Sequence, residues 1–329
     1  MAGLKEIIKF KAKDNFELGQ KLGAYFGAQL RKLITFRRTQ GLNVKKALKY
    51  LPPTQESFPH LIEELKGYAL AAKVDWEDLW TLGLEGDDET NPPSPRNAGL
   101  RGAKEKCTSI ITKNGLAGHT EDWFAESADK LFLIEKQIGD LKILEFFYFY
   151  SFGGNAFSVN SHGIIKLTNS LAAKDTRLGI PNHVVARWLS ETADPEKGFL
   201  RLKKLKRAAG EGHIFINIKN CKVYSMETTA KKQVLTKPEL PFVHTNHYLT
   251  KLVSEEKTRS VSSIARFNFA QRAAPLINNT EEMGELFKIP PIFRDDPPSA
   301  TIATAIVDLH KKVLHYRVNK TLGQTSIVL

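Results

Sequence analysis

A layered α+β fold is predicted by the order in which two hydrophobic periods occur along these 329 residues. Before residue 107 apolar residues recur at three- and four-residue steps. After it come short β-branched and aromatic runs separated by turns, then a helical stretch, then strands again to the end. Strands, helices and strands in that order suit packed layers of each kind better than a doubly wound parallel sheet. Hydrophobic residues make up 42% of the chain and charged residues 26%, so a sizeable core can be buried. The two cysteines, Cys107 and Cys221, stand far apart, and no disulfide framework is implied. The length admits one large domain with an N-terminal extension, or two domains.

Taken in order, Phe16, Leu18, Leu22, Tyr25, Phe26, Leu30 and Leu33 mark an amphipathic helix, with Asn15 as its candidate cap. A second helix begins near Pro59 and runs through Leu61, Ile62, Leu65, Tyr68 and Ala69; a short third begins near Asp75. The charged, Pro-rich run from Glu85 to Gly99 reads as an exposed loop. Cys107–Thr112 is a short β-branched strand, and Lys113-Asn-Gly115 turns it into Leu116–Thr120 as a hairpin. Leu141–Tyr150, Phe157–Asn160 and Ile164–Thr168 follow as strands, with Asn160 serving the turn between the last two. A helical stretch covers about 181–209. His213–Ile218, Lys222–Met226 and Phe242–His244 are strands, Thr258–Arg272 is a helix, and Ala300–Asp308, Lys312–Arg317 and Gln324–Leu329 close the chain as strands.

Composition narrows the partners. The first ten residues hold no apolar run of signal-peptide length, and no stretch approaches the ~18 apolar residues of a membrane span, so a cytoplasmic protein without a membrane partner is expected. The net charge is +12, densest in Arg201-Leu-Lys-Lys-Leu-Lys-Arg207. Leu200, Leu202 and Leu205 fit one helical stripe there, which makes the lysines a solvated face. No zinc-finger, RNP or basic-zipper pattern accompanies the run, so no nucleic-acid partner is expected. The charge leaves room for anionic substrates such as coenzyme A thioesters.

Cys107 follows the exposed loop and opens a strand. If the Lys106–Cys107 bond is cut, Cys107 gains a free α-amino group beside its own thiol. An α-amino pKa of ~7.7–8.0 suits a general base near neutral pH, and the thiolate it generates is the nucleophile. The competing reading is a small buried core residue. The next strand, Gly118-His-Thr-Glu-Asp-Trp123, brings Asp122 or His119 back towards Cys107, where a carboxylate can hold the new ammonium group. His244 and His247, three residues apart with no acidic or cysteine neighbour in sequence, make a poor metal pair, and no metal site is expected.

These residues resemble the acyl-coenzyme A:isopenicillin N acyltransferase family of N-terminal-nucleophile (Ntn) enzymes, related to choloylglycine hydrolases and acid ceramidases. The Gly-His-Thr-Glu-Asp element is similar to that of insect β-alanyl-amine hydrolases. Phe16–Gly23 and Leu61–Val74 look like the family's helical pro-segment, and Phe242–His247 and Ala300–Asp308 like its later strands. The resemblance implies a four-layer αββα sandwich, with residues 1–106 as pro-segment or small subunit and 107–329 as catalytic domain or large subunit. It implies cleavage before Cys107, Cys107 as nucleophile, Asp122 as orienting carboxylate, and Asn246 and Asn169 as oxyanion-hole donors. Arg259 stands at the separation from Asn246 of the ceramidase branch's active-site arginine; Arg266 competes for that role. His119 occupies a substrate-holding position that is often Arg or Gln, and Lys106 stands where many members have Gly.

The expected function is therefore hydrolysis of a non-peptide amide, such as an N-acyl amino acid or an acylated amine, through a Cys107 thioester. No metal or organic cofactor is implied, and the partner is a small-molecule amide. The small subunit is expected to stay bound after cleavage, and a homo-oligomer fits the sequence equally with a monomer. Two alternatives stand beside it: an acyl-coenzyme A-dependent amine acyltransferase, and a binding protein of the same fold that does not mature.

Overall fold

The computed structural model describes residues 7–84, 107–296, 298–318 and 321–327. Lys106 and the run Glu85–Gly99 lie outside the described residues. The first part carries β1 (Ile8–Ala12), α1 (Asn15–Thr39), α2 (Val44–Ala47), α3 (Leu51–Ser57), α4 (Pro59–Ala72) and α5 (Trp76–Gly83). From Cys107 onward come β2 (Thr108–Ile111), β3 (Leu116–Phe124), β4 (Leu131–Ile138), β5 (Leu141–Tyr148), β6 (Phe157–Asn160) and β7 (Ile164–Ser170). Next are α6 (Asn182–Leu189), α7 (Pro195–Leu202), β8 (Glu211–Asn217), β9 (Val223–Thr228), β10 (Gln233–Thr236) and β11 (Phe242–His244). The chain continues with α8 (Val261–Ala273), α9 (Thr280–Leu286), β12 (Asp295–Asp296), β13 (Ser299–Asp308), β14 (Val313–Val318) and β15 (Thr321–Ser326).

The strands form two sheets. One has eight strands in the order β1-β4-β5-β6-β7-β8-β9-β10; the other runs β11-β2-β3-β13-β14-β15, with β12 paired to β13. The outer face of the eight-stranded sheet is covered by α1 and α4, where Phe26 stacks on Phe149 and packs at a tilt against Phe132 and Phe147. The outer face of the other sheet is covered by α8 and α9: Ile110, Leu116, Val243 and Ile306 form one cluster with Ala270, Met283 and Phe287. Residues one position along, such as Ile111, Ala117, Ala305 and Val307, join the main core instead. That alternation is the period-2 signature of a sheet covered on both faces. The result is the four-layer αββα sandwich expected.

Local chemistry fixes the helix ends. The cap of α1 is Asp14, one residue before the expected Asn15: its carboxylate accepts from Glu17 N at 2.8 Å, and Glu17 accepts from Lys13 N at 2.9 Å. Asn15 instead donates to Glu64 Oε2 on α4 at 2.8 Å. The two helices approach closely because Gly19 and Gly67 lie at the crossing. A Cβ on Gly19 would stand 1.9 Å from Glu64 O, and one on Gly67 2.1 Å from Phe16 O.

Two expectations are corrected. The helical stretch at 181–209 is two short helices, broken before Pro195 and ending at Leu202. Leu200 is 61% exposed and only Leu202 of the proposed stripe is fully buried. Arg207 is not part of a solvated face: it is buried and donates to the carbonyls of Leu202, Thr229 and Lys232 and to Gln233 Oε1. Residues 7–84 pack onto the strands that follow them. Their apolar side chains share one core with both sheets, and β1 pairs in parallel with β4. Among the described residues no helix is long and apolar enough to cross a membrane.

Candidate active site

The hairpin of β2 and β3 builds the site. Its register places Thr108 opposite Thr120 and Ser109 opposite His119. Directly opposed residues of an antiparallel pair point to the same face. Cys107, Ser109, His119 and Glu121 therefore look inward, towards the eight-stranded sheet. Thr108, Thr120 and Asp122 look outward, towards α8.

On the inner face, Cys107 Sγ lies 3.3 Å from Glu121 Oε2, and Tyr148, at the end of β5, donates to Glu121 Oε1 at 2.7 Å. Ser109 Oγ lies 2.9 Å from His119 Nδ1 and donates to Asn169 Oδ1 at 2.9 Å. Asn169, on β7, donates through Nδ2 to the carbonyl of Cys107 at 3.2 Å. Cys107, His119 and Glu121 are 2%, 0% and 3% exposed, so these groups are buried. Burial, helped by the positive charge of Lys166, pushes the His119 pKa down to about 3; the ring is neutral at pH 7.

On the outer face, Arg266 of α8 is the organising residue. Nη1 donates to the Cys107 carbonyl at 2.7 Å and to Thr108 Oγ1 at 3.0 Å; Nη2 donates to Asn246 Oδ1 at 2.7 Å. Asn246 Nδ2 in turn donates to Ser170 O at 3.2 Å. Asp122 accepts from Thr301 Oγ1 at 2.7 Å, while its Oδ2 has no hydrogen-bond partner among the described residues. Burial pushes the Asp122 pKa up to about 7, against the pull of Arg266 and the Thr301 bond and with some help from Glu121.

The structure thus brings Cys107, Asn169, Asn246, His119, Asp122 and Arg266 together, and refines their contacts. The carboxylate against the thiol is Glu121; Asp122, one residue along the strand, is carried by the pleat to the other face and bonds Thr301. Arg259 does not reach the site: it is 43% exposed, pairs with Glu256 at 2.8 Å and donates to Tyr248 O. Of the two arginines, Arg266 is the one bonded to Cys107 and Asn246. His244 contacts Glu227 and the Thr245 carbonyl, and His247 contacts Thr245 and Ser263, so the two rings serve different partners. Asn160 holds its turn as expected, accepting from the backbone of His162 and Ile164.

Sequence reasoning missed Glu121, Ser109 and Tyr148. For the first two a signal was present. Counting pairs outward from the Lys113-Asn-Gly115 turn sets residue 121 opposite 107 and residue 119 opposite 109. Tyr148 comes from a different sheet, and nothing local marks it.

The sequence pattern of the acyl-coenzyme A:6-aminopenicillanic acid acyl-transferase family matches residues 110–322. A beta-alanyl-dopamine/carcinine hydrolase of Drosophila melanogaster is 26% identical over 220 residues. That match takes in 57% of this chain and 55% of the relative, so the chain spans about half the length of the curated relative it matches. Among solved structures, a C2A mutant of the conjugated bile acid hydrolase of Clostridium perfringens aligns over 68% of this chain and 92% of its own at 13% identity, TM-score 0.41. Penicillin V acylase of Agrobacterium tumefaciens aligns over 67% of this chain and 84% of its own, again at 13% identity and TM-score 0.41.

Proposed function

The chain belongs to the acyl-coenzyme A:6-aminopenicillanic acid acyl-transferase family, and from that premise we propose that it is a self-processing amidohydrolase using the Cys107 thiol. The observation that carries the reading is the setting of Cys107. A buried thiol opens a strand beside a carboxylate, and its own carbonyl is held by both Arg266 and Asn169. A core cysteine needs none of these partners.

Cleavage of the Lys106–Cys107 bond converts the Cys107 nitrogen from an amide, which is no base, into an amine. The amine takes the thiol proton, and the thiolate attacks the substrate's amide carbonyl. The tetrahedral oxyanion collapses to a thioester as the ammonium returns its proton to the departing amine. Water then attacks the thioester, releasing the acid and restoring the thiol. Asn169 and Asn246 supply amide donors for the oxyanion, each typically worth ~2.7–4 kcal/mol in such sites. Arg266 is a positioning residue: it fixes Asn246 through Oδ1 and the nucleophile through its carbonyl. Asp122 acts on Arg266 through its charge, without a direct bond. His119, beside the thiol, contacts the substrate.

The substrate is a non-peptide amide, and the relative's name favours a β-alanyl amine within that class. The family's name keeps an acyl-coenzyme A-dependent amine acyltransferase as the second reading. The small subunit is retained after cleavage, because its helices share the main core and β1 remains paired with β4.

Intact-mass analysis of purified protein is the test. Fragments of 106 and 223 residues are expected, the second beginning with Cys107, together with release of free amine from β-alanyl amines. Full-length protein after long incubation at neutral pH would overturn self-processing and favour a binding protein. Amine acylation that depends on an acyl thioester, without hydrolysis, would favour the transferase.

A further inference from the structure

The inner face of the hairpin gathers three side chains of metal-ligating chemistry. One atom each of Cys107, His119 and Glu121, namely a thiol sulfur, an imidazole nitrogen and a carboxylate oxygen, lie within 4.8 Å of one another. Sγ to Oε2 is 3.3 Å and His119 Nε2 to Oε2 is 3.8 Å. Ligand atoms ~2.0–2.3 Å from a tetrahedral zinc ion are spaced by about such distances.

The tautomer of His119 is fixed by its neighbours. Asn169 Nδ2 faces a carbonyl, which can only accept, so Asn169 Oδ1 faces Ser109 and takes its hydroxyl proton. Ser109 Oγ must then accept from His119, which carries its proton on Nδ1. Nε2 is left with a lone pair, has no hydrogen-bond partner among the described residues and is fully buried, facing Glu121 Oε2. Glu121 is held in the same manner: Tyr148 binds Oε1, and Oε2 is turned to the thiol. Each nitrogen or oxygen ligand thus has its remote atom anchored by a second hydrogen bond, the arrangement that orients ligands at metal centres.

We propose that Cys107, His119 and Glu121 form a binding site for one zinc ion, and that zinc bound there withdraws the Cys107 thiol from reaction. Binding replaces the S–H bond by an S–Zn bond and releases one proton to solvent. The thiolate and the carboxylate together neutralise the dication, so the filled site carries no net charge into a buried region. A mixed sulfur, nitrogen and oxygen set suits zinc better than magnesium or calcium. Occupancy of the site does not depend on the amidase reading; its effect on turnover does.

The test uses the full chain, freed of metal, at equilibrium after long incubation because the ligands are buried. Zinc is titrated against a chromogenic chelator, and cobalt(II) is added separately as a spectroscopic probe. One zinc per chain is expected, with a near-ultraviolet sulfur-to-cobalt charge-transfer band. Cys107→Ser should abolish the band, and His119→Gln and Ser109→Ala should each weaken zinc binding at least about tenfold. Cys221→Ala should change neither. If His119→Gln fails to fold, the cobalt spectrum of the near-isosteric Cys107→Ser protein decides. Equal zinc affinity in the native and Cys107→Ser proteins, or no charge-transfer band, would overturn the site. A cobalt band in a protein that hydrolyses no amide when metal-free leaves the site standing and sinks the amidase reading. An amidase untouched by saturating zinc does the reverse.

Discussion

Two buried polar clusters lie on opposite faces of the eight-stranded sheet, and they are built differently. Under the helices, Lys136 faces Glu145 at 2.6 Å, and Arg187 of α6 is held by Glu64 of α4 at 2.9 Å and by Glu191 at 2.6 Å. Full charges meet full charges there, and one pair joins the part of the chain before Cys107 to the part after it. Between the sheets, Cys107, Ser109, Asn169, His119, Glu121 and Tyr148 are linked by hydrogen bonds, with one nitrogen left over. The first arrangement binds segments to one another. The second holds reactive atoms in place and leaves His119 Nε2 without a hydrogen-bond partner among the described residues. The contrast implies that the two clusters can be disabled separately.

The largest effect separates them from the site's side. Cys107→Ala should abolish cleavage and lower amide turnover by about 10³-fold or more, with little change in the urea midpoint of unfolding. Cleavage of the Cys107→Ala chain at the same bond would break the assignment. From the other side, Arg187→Met leaves the buried Glu64 without its cation and the half-buried Glu191 with only His60. A loss of about 3–5 kcal/mol is expected from denaturant unfolding, with turnover per folded molecule preserved. Turnover that falls while stability holds would join the two clusters functionally and defeat the comparison.

The pH dependence of stability sharpens the comparison within the hairpin, because its two faces titrate in opposite directions. Asp122 has a folded pKa of about 7 against an ordinary 3.8, chiefly through burial. Its contribution is complete below pH 4 and is lost as the pH rises through 7. His119 has a folded pKa of about 3 against an ordinary 6.5, again through burial. Its contribution is complete above pH 6.5 and is lost as the pH falls towards 3; His247, lowered to about 4 by burial, acts in the same sense. Asp122→Asn should therefore gain stability relative to the native protein between pH 4 and 7, and His119→Gln should gain it between pH 6.5 and 3. Urea midpoints at pH 4, 5.5 and 7 check both; parallel curves for native protein and Asp122→Asn would show that Asp122 is charged throughout.

How far the site was legible depended on what had to be counted. Cys107 and its strand were readable because a turn signal and β-branched residues are local. Glu121 is readable in principle by pairing outward from Gly115, whereas the family resemblance points to Asp122. Strand β4 was not readable: Leu131–Ile138 is covered on both faces, so it shows no clean alternation, and it holds a buried Lys136 that makes sense only opposite Glu145. Strands β1 and β10 lie at sheet edges and are too short to stand out. The choice between Arg259 and Arg266 was out of reach, since it depends on which face of a helix meets a strand more than 150 positions away.

That choice gives the last prediction, and the smallest effect. Arg266 joins the Cys107 carbonyl, Thr108 and Asn246 through two nitrogens of one rigid fork. Lysine has a single nitrogen and cannot span the same acceptors. Arg266→Lys should keep the charge next to Asp122 but release Asn246, and turnover should fall by about 10²-fold, the order seen when one oxyanion donor is lost. The loss should appear in kcat more than in KM, because the bond to Asn246 acts on the transition state. Arg259, exposed and paired three residues away in the chain, has a surface ion pair worth about 0–1 kcal/mol. Arg259→Ala should therefore stay within a few-fold of native in both constants. Equal effects at the two positions would place Arg259 on the substrate's path, and would mean that the outer face of the hairpin extends beyond Asn246 towards the surface.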